Sequence, residues 1–440
     1  LSSEKVHDRD DLASLRAEWL QYRAQLHDPE TGLPTLANVV DELRRTLEAG
    51  RSLAVFTVLL NAERQVEEVW GWQAYDRLVA DFIRDIRENR GRRGIPEALL
   101  CVPAVRSDEI FLFVPLAARE GSNGGSALLE QQADEIDLYV RDFISDRFPA
   151  ADRFTNFVGS SSIVFDPKVR VERIIYRGIR EARNAVYERR ARLEVHGAEV
   201  LRQIIAEGAI TPVFQPIVDL SDRTIVAFEA LSRGPAGSGF EDGEALFSFA
   251  ERANLLLPLE RTCRRRILEA SLRIPPSKLL FLNLSRAAVS EPDFRKGAFE
   301  KYVRQMSFEP SRIVLEITER TYALHHETFT RILKELRREG FLIAVDDMGT
   351  GYSSLSSLAE IEPDFLKFDS VFVHEIHKHR IKRDLLDAML SFARKAHTQV
   401  IAEGIEAPEE LATLIELGVP YGQGFYLGRP DALSAYSSPS

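Results

Sequence analysis

The chain has 440 residues, 45% of them hydrophobic, and a formal net charge of −11. The length exceeds one ordinary domain and points to two of roughly 170 to 250 residues, while the acidic balance excludes a global basic field that would draw in duplex nucleic acid. Cys101 and Cys263 stand in no metal-type spacing and exclude a disulfide scaffold, which fits a reducing, cytoplasmic setting.

No apolar run approaches the ~20 residues of a membrane span, and no signal peptide is visible. With Leu1 rather than Met at the start, an upstream sensor or membrane segment missing from this chain is one expectation. Residues 9 to 27 space Leu12, Leu15, Trp19, Tyr22 and Leu26 at helical intervals, so 1–26 read as an N-terminal helix packing on its own domain, with a signalling helix as the second reading. A turn-rich HDPETGLPTL (27 to 36) precedes a helix to about Glu48. SLAVFTVLL (52 to 60) is a buried strand, and a helix follows over about 73 to 89. Apolar runs at 99 to 105 and 110 to 115 flank Arg106-Ser107-Asp108-Glu109 as a hairpin ending on Ile110. REGSNGGSA (119 to 127) is a loop by composition. A helix (about 128 to 147) and a strand (about 157 to 165) complete an α+β or α/β sandwich over 27–185. Residues 186–197 read as a linker helix region, with a lead-in helix at about 198 to 207 opening a second domain, 198–440.

From 211 onward short apolar runs recur: VFQPIVDL, TIVAFEAL, LLFLNLS, RIVLEITE, FLIAVDD, FLKFD, QVIAEGIE and YGQGFYLG. Amphipathic segments of helical length separate most of them, as in a (β/α)8 barrel. Only Ser221, Asp222 and Arg223 separate the first two runs, so these should pair antiparallel. Most runs end on a polar group: Glu229, Asn283, Glu316, Asp346 with Asp347, Lys367, Glu403 and Gln423. One such residue is usually a helix cap. A barrel gathers the whole set in one mouth, where so many carboxylates repel unless cations sit among them. Oxygen donors without Cys or His select Mg2+ or Mn2+, and adjacent Asp346 and Asp347 suit two ions and in-line attack of water on a phosphodiester. Lys367 adds a fixed positive charge, and Arg233, four residues past Glu229, is placed to hold a phosphate. His325-His326-Glu327 reads as an exposed helix start rather than a metal site, and Cys263 as packing rather than a nucleophile.

Residues 229 to 231 are Glu-Ala-Leu, and with FQPIVDL, NLS, LEITE, DD-x-GTGYSSL, K-F-D, AEGIE and QG-F in order, 198 to 432 resemble the EAL family of cyclic di-GMP phosphodiesterases. The resemblance implies Glu229, Asn283, Glu316, Asp346, Asp347 and Glu403 as ligands of two Mg2+ or Mn2+ ions. It implies Glu229, Lys367 and Glu403 as catalytic, Gln215, Arg233 and Gln423 as substrate-binding, and Glu319 and Glu406 as loop-stabilising. It also implies a homodimer. Met348 stands where the family loop usually has Phe.

Residues 27 to 185 resemble the GGDEF family of diguanylate cyclases through DPETGLP (28 to 34), Gly71, Asp76 and the hairpin Arg106-Ser107-Asp108-Glu109-Ile110. Arg106 and Ser107 replace the two glycines that let that hairpin approach a GTP phosphate. Asn61 replaces a metal-binding aspartate, and Glu67 a guanine-reading asparagine. The expectation is a cyclase relic, with GTP binding as a regulator and a structural role both open. For the whole chain it is a cyclic di-GMP phosphodiesterase, with a non-catalytic cyclic di-GMP receptor as the alternative.

Overall fold

The computed structural model describes residues 26–60, 72–89, 98–105, 107, 109–116, 125–147, 157–289, 291, 294, 297–318, 326–348 and 361–436. Residues 9 to 25 of the expected first helix, Asn61, Glu67, Arg106, Asp108, Glu319 and the turn after Met348 fall outside them, as do the side chains of Asp347 and Met348. The chain divides into two units, Leu1–Gly197 and Ala198–Ser440.

The N-terminal unit is built on β1 (Ser52–Leu59), β2 (Leu99–Cys101), β3 (Glu109–Leu116) and β4 (Val158–Ile163), in the order β2-β3-β1-β4 with every pairing antiparallel. Strand alternation sorts the side chains to two faces. Phe56, Val58, Ile110 and Leu112 pack under α2 (Trp72–Asn89) and α3 (Gly125–Ser145). Val55, Phe111 and Phe113 pack under α1 (Leu36–Glu48) and the first part of α4 (Val171–Glu207). A sheet covered on both faces explains why SLAVFTVL is apolar almost throughout. The expected linker and separate lead-in helix are instead one 37-residue helix, α4. It contains no proline, carries i,i+4 pairs such as Arg190–Glu194 at 3.2 Å, and absorbs Gly197 at a cost of about 1 kcal/mol.

The C-terminal unit is a closed barrel of β5 (Thr211–Asp219), β6 (Ile225–Arg233), β7 (Leu279–Asn283), β8 (Ile313–Thr318), β9 (Leu342–Met348), β10 (Phe365–Phe368), β11 (Gln399–Ala402) and β12 (Tyr421–Gly422). Helices α5 (Gly243–Arg252) and α6 (Leu256–Ser271) follow β6; α7 (Arg286–Val289) and α8 (Ala298–Gln305) follow β7; α9 (His326–Arg338) follows β8. Then α10 (Ser370–Val373) and α11 (Arg380–Lys395) follow β10, and α12 (Pro408–Glu416) follows β11. β5 runs antiparallel to both its neighbours, β6 and β12, and only residues 220 to 224 join β5 to β6. All other pairs are parallel. The run YGQGFYLG is not one strand: a Cβ at Gly424 would collide with the backbone of Ile405, and the chain turns there, with Leu427 and Gly428 N–H donating to Gly424 O. No helix among the described residues is long and apolar enough to cross a membrane.

Candidate functional site

An apolar layer fills the barrel, with Ile217, Ala227, Phe281, Val314, Ala344, Phe365, Ile401 and Tyr421 from the eight strands and Val226, Leu279 and Leu342 packed against it. Two residues on, the same face of each strand comes up again. For the parallel strands that position is Glu229, Asn283, Glu316, Asp346, Lys367, Glu403 and Gln423. β5 runs the other way, so its contribution lies two residues before Ile217, at Gln215, directly opposite Glu229. The site is thus the polar layer stacked on the apolar one, with one residue per strand position.

Lys367 is the centre of this layer and is 1% exposed. Its Nζ lies 2.7 Å from Glu316 Oε1, 2.7 Å from Glu403 Oε1, 3.2 Å from Glu229 Oε2 and 3.5 Å from Asp346 Oδ1. Four carboxylates around one ammonium leave negative charge in excess. Glu229 is the best satisfied: Asn283 Nδ2 donates to its Oε1 at 3.2 Å, and Gln423 Nε2 to its Oε2 at 2.6 Å. Gln423 Nε2 also donates to Gln215 Oε1 at 2.9 Å, and Gln215 Nε2 to Gly428 O at 3.0 Å. Glu316 Oε2 has no hydrogen-bond partner among the described residues, while Glu316 Oε1 and Asp346 Oδ1 face the Lys367 ammonium.

These surroundings set the ionisation. Burial opposes charge on Glu229, but Lys367 and the donors from Gln423 and Asn283 outweigh it and hold its carboxyl below the usual range. Glu316 goes the other way: burial, then the charges of Glu229 and Asp346, raise it well above that range against the pull of Lys367. Burial pushes Glu403 up to about 8, Lys367 again opposing. Lys367 is itself destabilised as a cation by burial, yet Glu229, Glu316, Glu403 and Asp346 together raise it well above the ordinary lysine value.

A cavity of about 500 Å3 opens beside the layer, lined by Asn283 and Glu316 on the strand side and by Phe247, Glu251 and Cys263 from α5 and α6. Arg233 also faces it and pairs with Asp242 at 3.2 Å. Cys263 is buried, and burial pushes its thiol up to about 11, so it is neutral at ordinary pH and no nucleophile. Glu406 has an exposed side chain; its backbone amide donates to Glu410 Oε2 at 2.9 Å. Sequence reasoning did not single out Glu410, although Pro408 followed by Glu410 after AEGIE is a helix-start pattern.

In the N-terminal unit Glu109 opens β3 opposite Leu59, next to buried Ile110. Ser107 Oγ accepts from Glu109 N at 3.2 Å. Both Glu109 oxygens face the guanidinium of Arg183 on α4, Oε1 accepting from Nε at 2.7 Å and Oε2 from Nη2. The sequence reading did not include Arg183, since a helix of many arginines gives no sign of which one turns inward.

Residues 198–430 match the family model described as EAL domain. The probable cyclic di-GMP phosphodiesterase PdeG of Escherichia coli (strain K12) is 31% identical over 238 residues, 53% of this chain and 46% of that protein. The uncharacterized protein y4lL of Sinorhizobium fredii (strain NBRC 101917 / NGR234) is 26% identical over 438 residues, 92% of this chain and 49% of that protein. The chain thus spans about half the length of these curated relatives. Among solved structures, the EAL enzyme Bd1971 in its cAMP and cyclic-di-GMP bound form is 23% identical, with a TM-score of 0.52 over 76% of this chain and 82% of that one. At that identity the likeness is one of fold.

Proposed function

Because the chain belongs to the EAL domain family through residues 198–430, we propose that its barrel opens cyclic di-GMP to linear pGpG with the help of divalent metal ions. The observation that carries this reading is the polar layer, in which four carboxylates crowd one buried lysine. The name of the Escherichia coli relative, a probable cyclic di-GMP phosphodiesterase, points the same way.

The donor set fits hard cations. It is made of oxygens, it carries excess negative charge, and Glu316 Oε2 lacks a hydrogen bond among the described residues while Glu316 Oε1 and Asp346 Oδ1 face the Lys367 ammonium. Among those residues no three His, Cys, Asp or Glu are grouped to hold an ion as they stand; the cation at the centre is Lys367. Glu229, Asn283, Glu316, Asp346, Asp347 and Glu403 would hold two Mg2+ or Mn2+ ions. Such ions, when bound, supply Lewis acidity that lowers the pKa of a water and stabilises attacking and leaving oxygens. The chain's own residues do the rest. Lys367 stays protonated and keeps a fixed positive charge where negative charge grows in the transition state. Arg233 offers a guanidinium to the non-bridging phosphate oxygens. Gln423 and Gln215, bonded to each other, hold Glu229 on one side of the substrate.

The N-terminal unit is a degenerate GGDEF domain in this reading, with a regulatory or structural role. Its remaining ligand-type carboxylate, Glu109, is neutralised by one arginine, and Asn61 brings no charge, so no surplus is left to attract a cation. That is the opposite of the barrel layer. GTP as a regulator, a homodimer and a cytoplasmic setting complete the proposal.

The test is incubation of the purified chain with cyclic di-GMP and Mg2+ or Mn2+, with a chelator as control. Metal-dependent pGpG is the expected product. Binding without turnover favours the second reading, a receptor. Neither binding nor turnover sinks both.

A further inference from the structure

Lys367, on β10, and Glu403, the first residue past the adjacent strand β11, touch at 2.7 Å. Contact between two groups at strand ends depends on how the segments beyond those ends are held. Here they are joined to each other. Beyond β11, Glu403 N donates to Phe368 O at 3.0 Å, and Gly404 sits so close to Ser370 that a Cβ would collide with that side chain. On the next residue Ile405 N donates to Gln423 O at 3.1 Å, and Tyr426 N to Ile405 O at 3.0 Å. Glu406 and Ala407 then give their amides to one carboxylate oxygen, Glu410 Oε2, at 2.9 and 3.0 Å. The other oxygen, Oε1, accepts from Glu375 N at 2.8 Å, just past the helix α10 that follows Lys367.

Glu410 is 2% exposed. Burial opposes its charge, but the three backbone donors and then His374 outweigh it and keep the carboxyl below the usual range. Helix α12 begins at Pro408, and Ala407 has no side chain to cap it. A cap therefore explains the Oε2 contacts alone. It does not explain the bond to Glu375, which belongs to a different loop.

Resting on the phosphodiesterase reading, we propose that Glu410 is a positioning residue of the barrel site: its carboxylate clamps the segment carrying Glu403 to the segment that follows Lys367, and so sets the contact between those two side chains. Truncation leaves three buried or half-buried N–H groups without an acceptor and frees the two strand ends to shift. Residues that hold a site from behind cost about 10- to 100-fold in activity or metal affinity when lost.

The test uses the whole chain with three substitutions, Glu410→Ala, Glu410→Gln and Glu416→Ala, the last at an exposed position on the same helix. Three quantities are measured: kcat and KM for cyclic di-GMP, the Mg2+ concentration giving half-maximal rate, and amide hydrogen exchange of Glu403 and Ile405. For Glu410→Ala the expected result is a kcat lower by about 10- to 100-fold, KM within about threefold, a higher Mg2+ requirement and faster exchange at both amides. Glu410→Gln keeps one acceptor oxygen and should fall between Ala and wild type; Glu416→Ala should match wild type. A Glu410→Ala chain with normal kcat and Mg2+ requirement but a lower melting temperature would reduce Glu410 to a helix staple and overturn the proposal. If wild type binds no metal and turns nothing over, the phosphodiesterase reading fails first. The exchange at Glu403 still decides the clamp, since unchanged exchange there overturns it independently of any activity.

Discussion

Lys367 Nζ stands 2.7 Å from Glu316 Oε1, and both residues are 1% exposed. Neither would be tolerated there alone, because an isolated buried charge costs several kcal/mol. Lys367→Met removes the one ammonium at the centre of four carboxylates. Breaking a buried pair in this way costs about 3–5 kcal/mol, so the variant should melt well below wild type in a chelator. Added Mg2+ should raise its melting temperature more than it raises that of wild type, since the carboxylates then have no competing cation. Thermal melts of both chains with and without Mg2+ check this; equal Mg2+ shifts would separate Lys367 from the cation site.

The two raised carboxyls give a pH dependence of defined sign. Glu316 and Glu403 bind protons more tightly folded than unfolded. The stability they contribute is present below the ordinary carboxylate range and is lost as pH rises through their folded values, Glu403's at about 8. Glu229, held low, works oppositely: its contribution is present above the ordinary range and is lost only as pH falls through its folded value. Chelated protein should therefore lose stability between neutral and mildly alkaline pH. Because a cation must displace the same protons, the Mg2+-induced rise in melting temperature should grow over that interval. A Mg2+ shift that is flat across it would mean that Glu403 is not among the ligands.

Much of the barrel layer could be read from the chain because its rule is local. Phe281-x-Asn283, Val314-x-Glu316, Phe365-x-Lys367 and Ile401-x-Glu403 each show an apolar residue followed two places on by a polar one, and strand alternation puts both inside. The short link at 221 to 223 announced the reversal of β5; that Gln215, a site residue by family resemblance, stands opposite Glu229 comes from the register. What escaped depends on contacts between distant segments. Nothing in the run YGQGFYLG tells that the last strand ends at Gly422, or that Gly424 packs against the backbone of Ile405, because that neighbour lies in another loop. The clamp at Glu410 and the pairing of Arg183 with Glu109 are likewise hidden, being tertiary choices among many similar charges. The continuity of helix α4 is hidden as well, because a charged stretch of helical pattern reads the same whether it is one helix or two helices joined by a linker.

The Glu109–Arg183 pair makes a prediction for the N-terminal unit. Glu109 is 7% exposed and meets the guanidinium with both oxygens. Glu109→Ala should destabilise that unit by about 1–3 kcal/mol, because the half-exposed Arg183 loses its charge-assisted hydrogen bonds while water takes over part of its solvation. Arg183→Met in the same chain should recover part of the loss. With GTP and Mg2+ the wild-type chain should yield no cyclic di-GMP. Detection of that product by chromatography would show that the carboxylate is free to serve a metal after all.

Glu229 provides the sharpest test of the barrel. Three side chains point donors at its two oxygens: Asn283 at Oε1, and Gln423 and Lys367 at Oε2. Glu229→Ala removes a charge from a layer that holds too many, so the loss of three acceptor contacts is partly offset by relief of repulsion with Glu316. The fold should survive with a modest change in melting temperature. Turnover should not survive, because the ionised carboxylate is the one group in the layer that every neighbouring donor keeps negative, and losing such a group from a site of this kind costs at least about 10²–10³ in kcat. Glu229→Gln separates the two effects. It keeps the volume but replaces one oxygen with an N–H₂ facing donors, so it should be as inactive as Ala and less stable. Rates of pGpG formation and thermal melts for both variants decide it: a Glu229→Ala chain with near wild-type kcat removes Glu229 from the chemistry, whatever its hydrogen bonds.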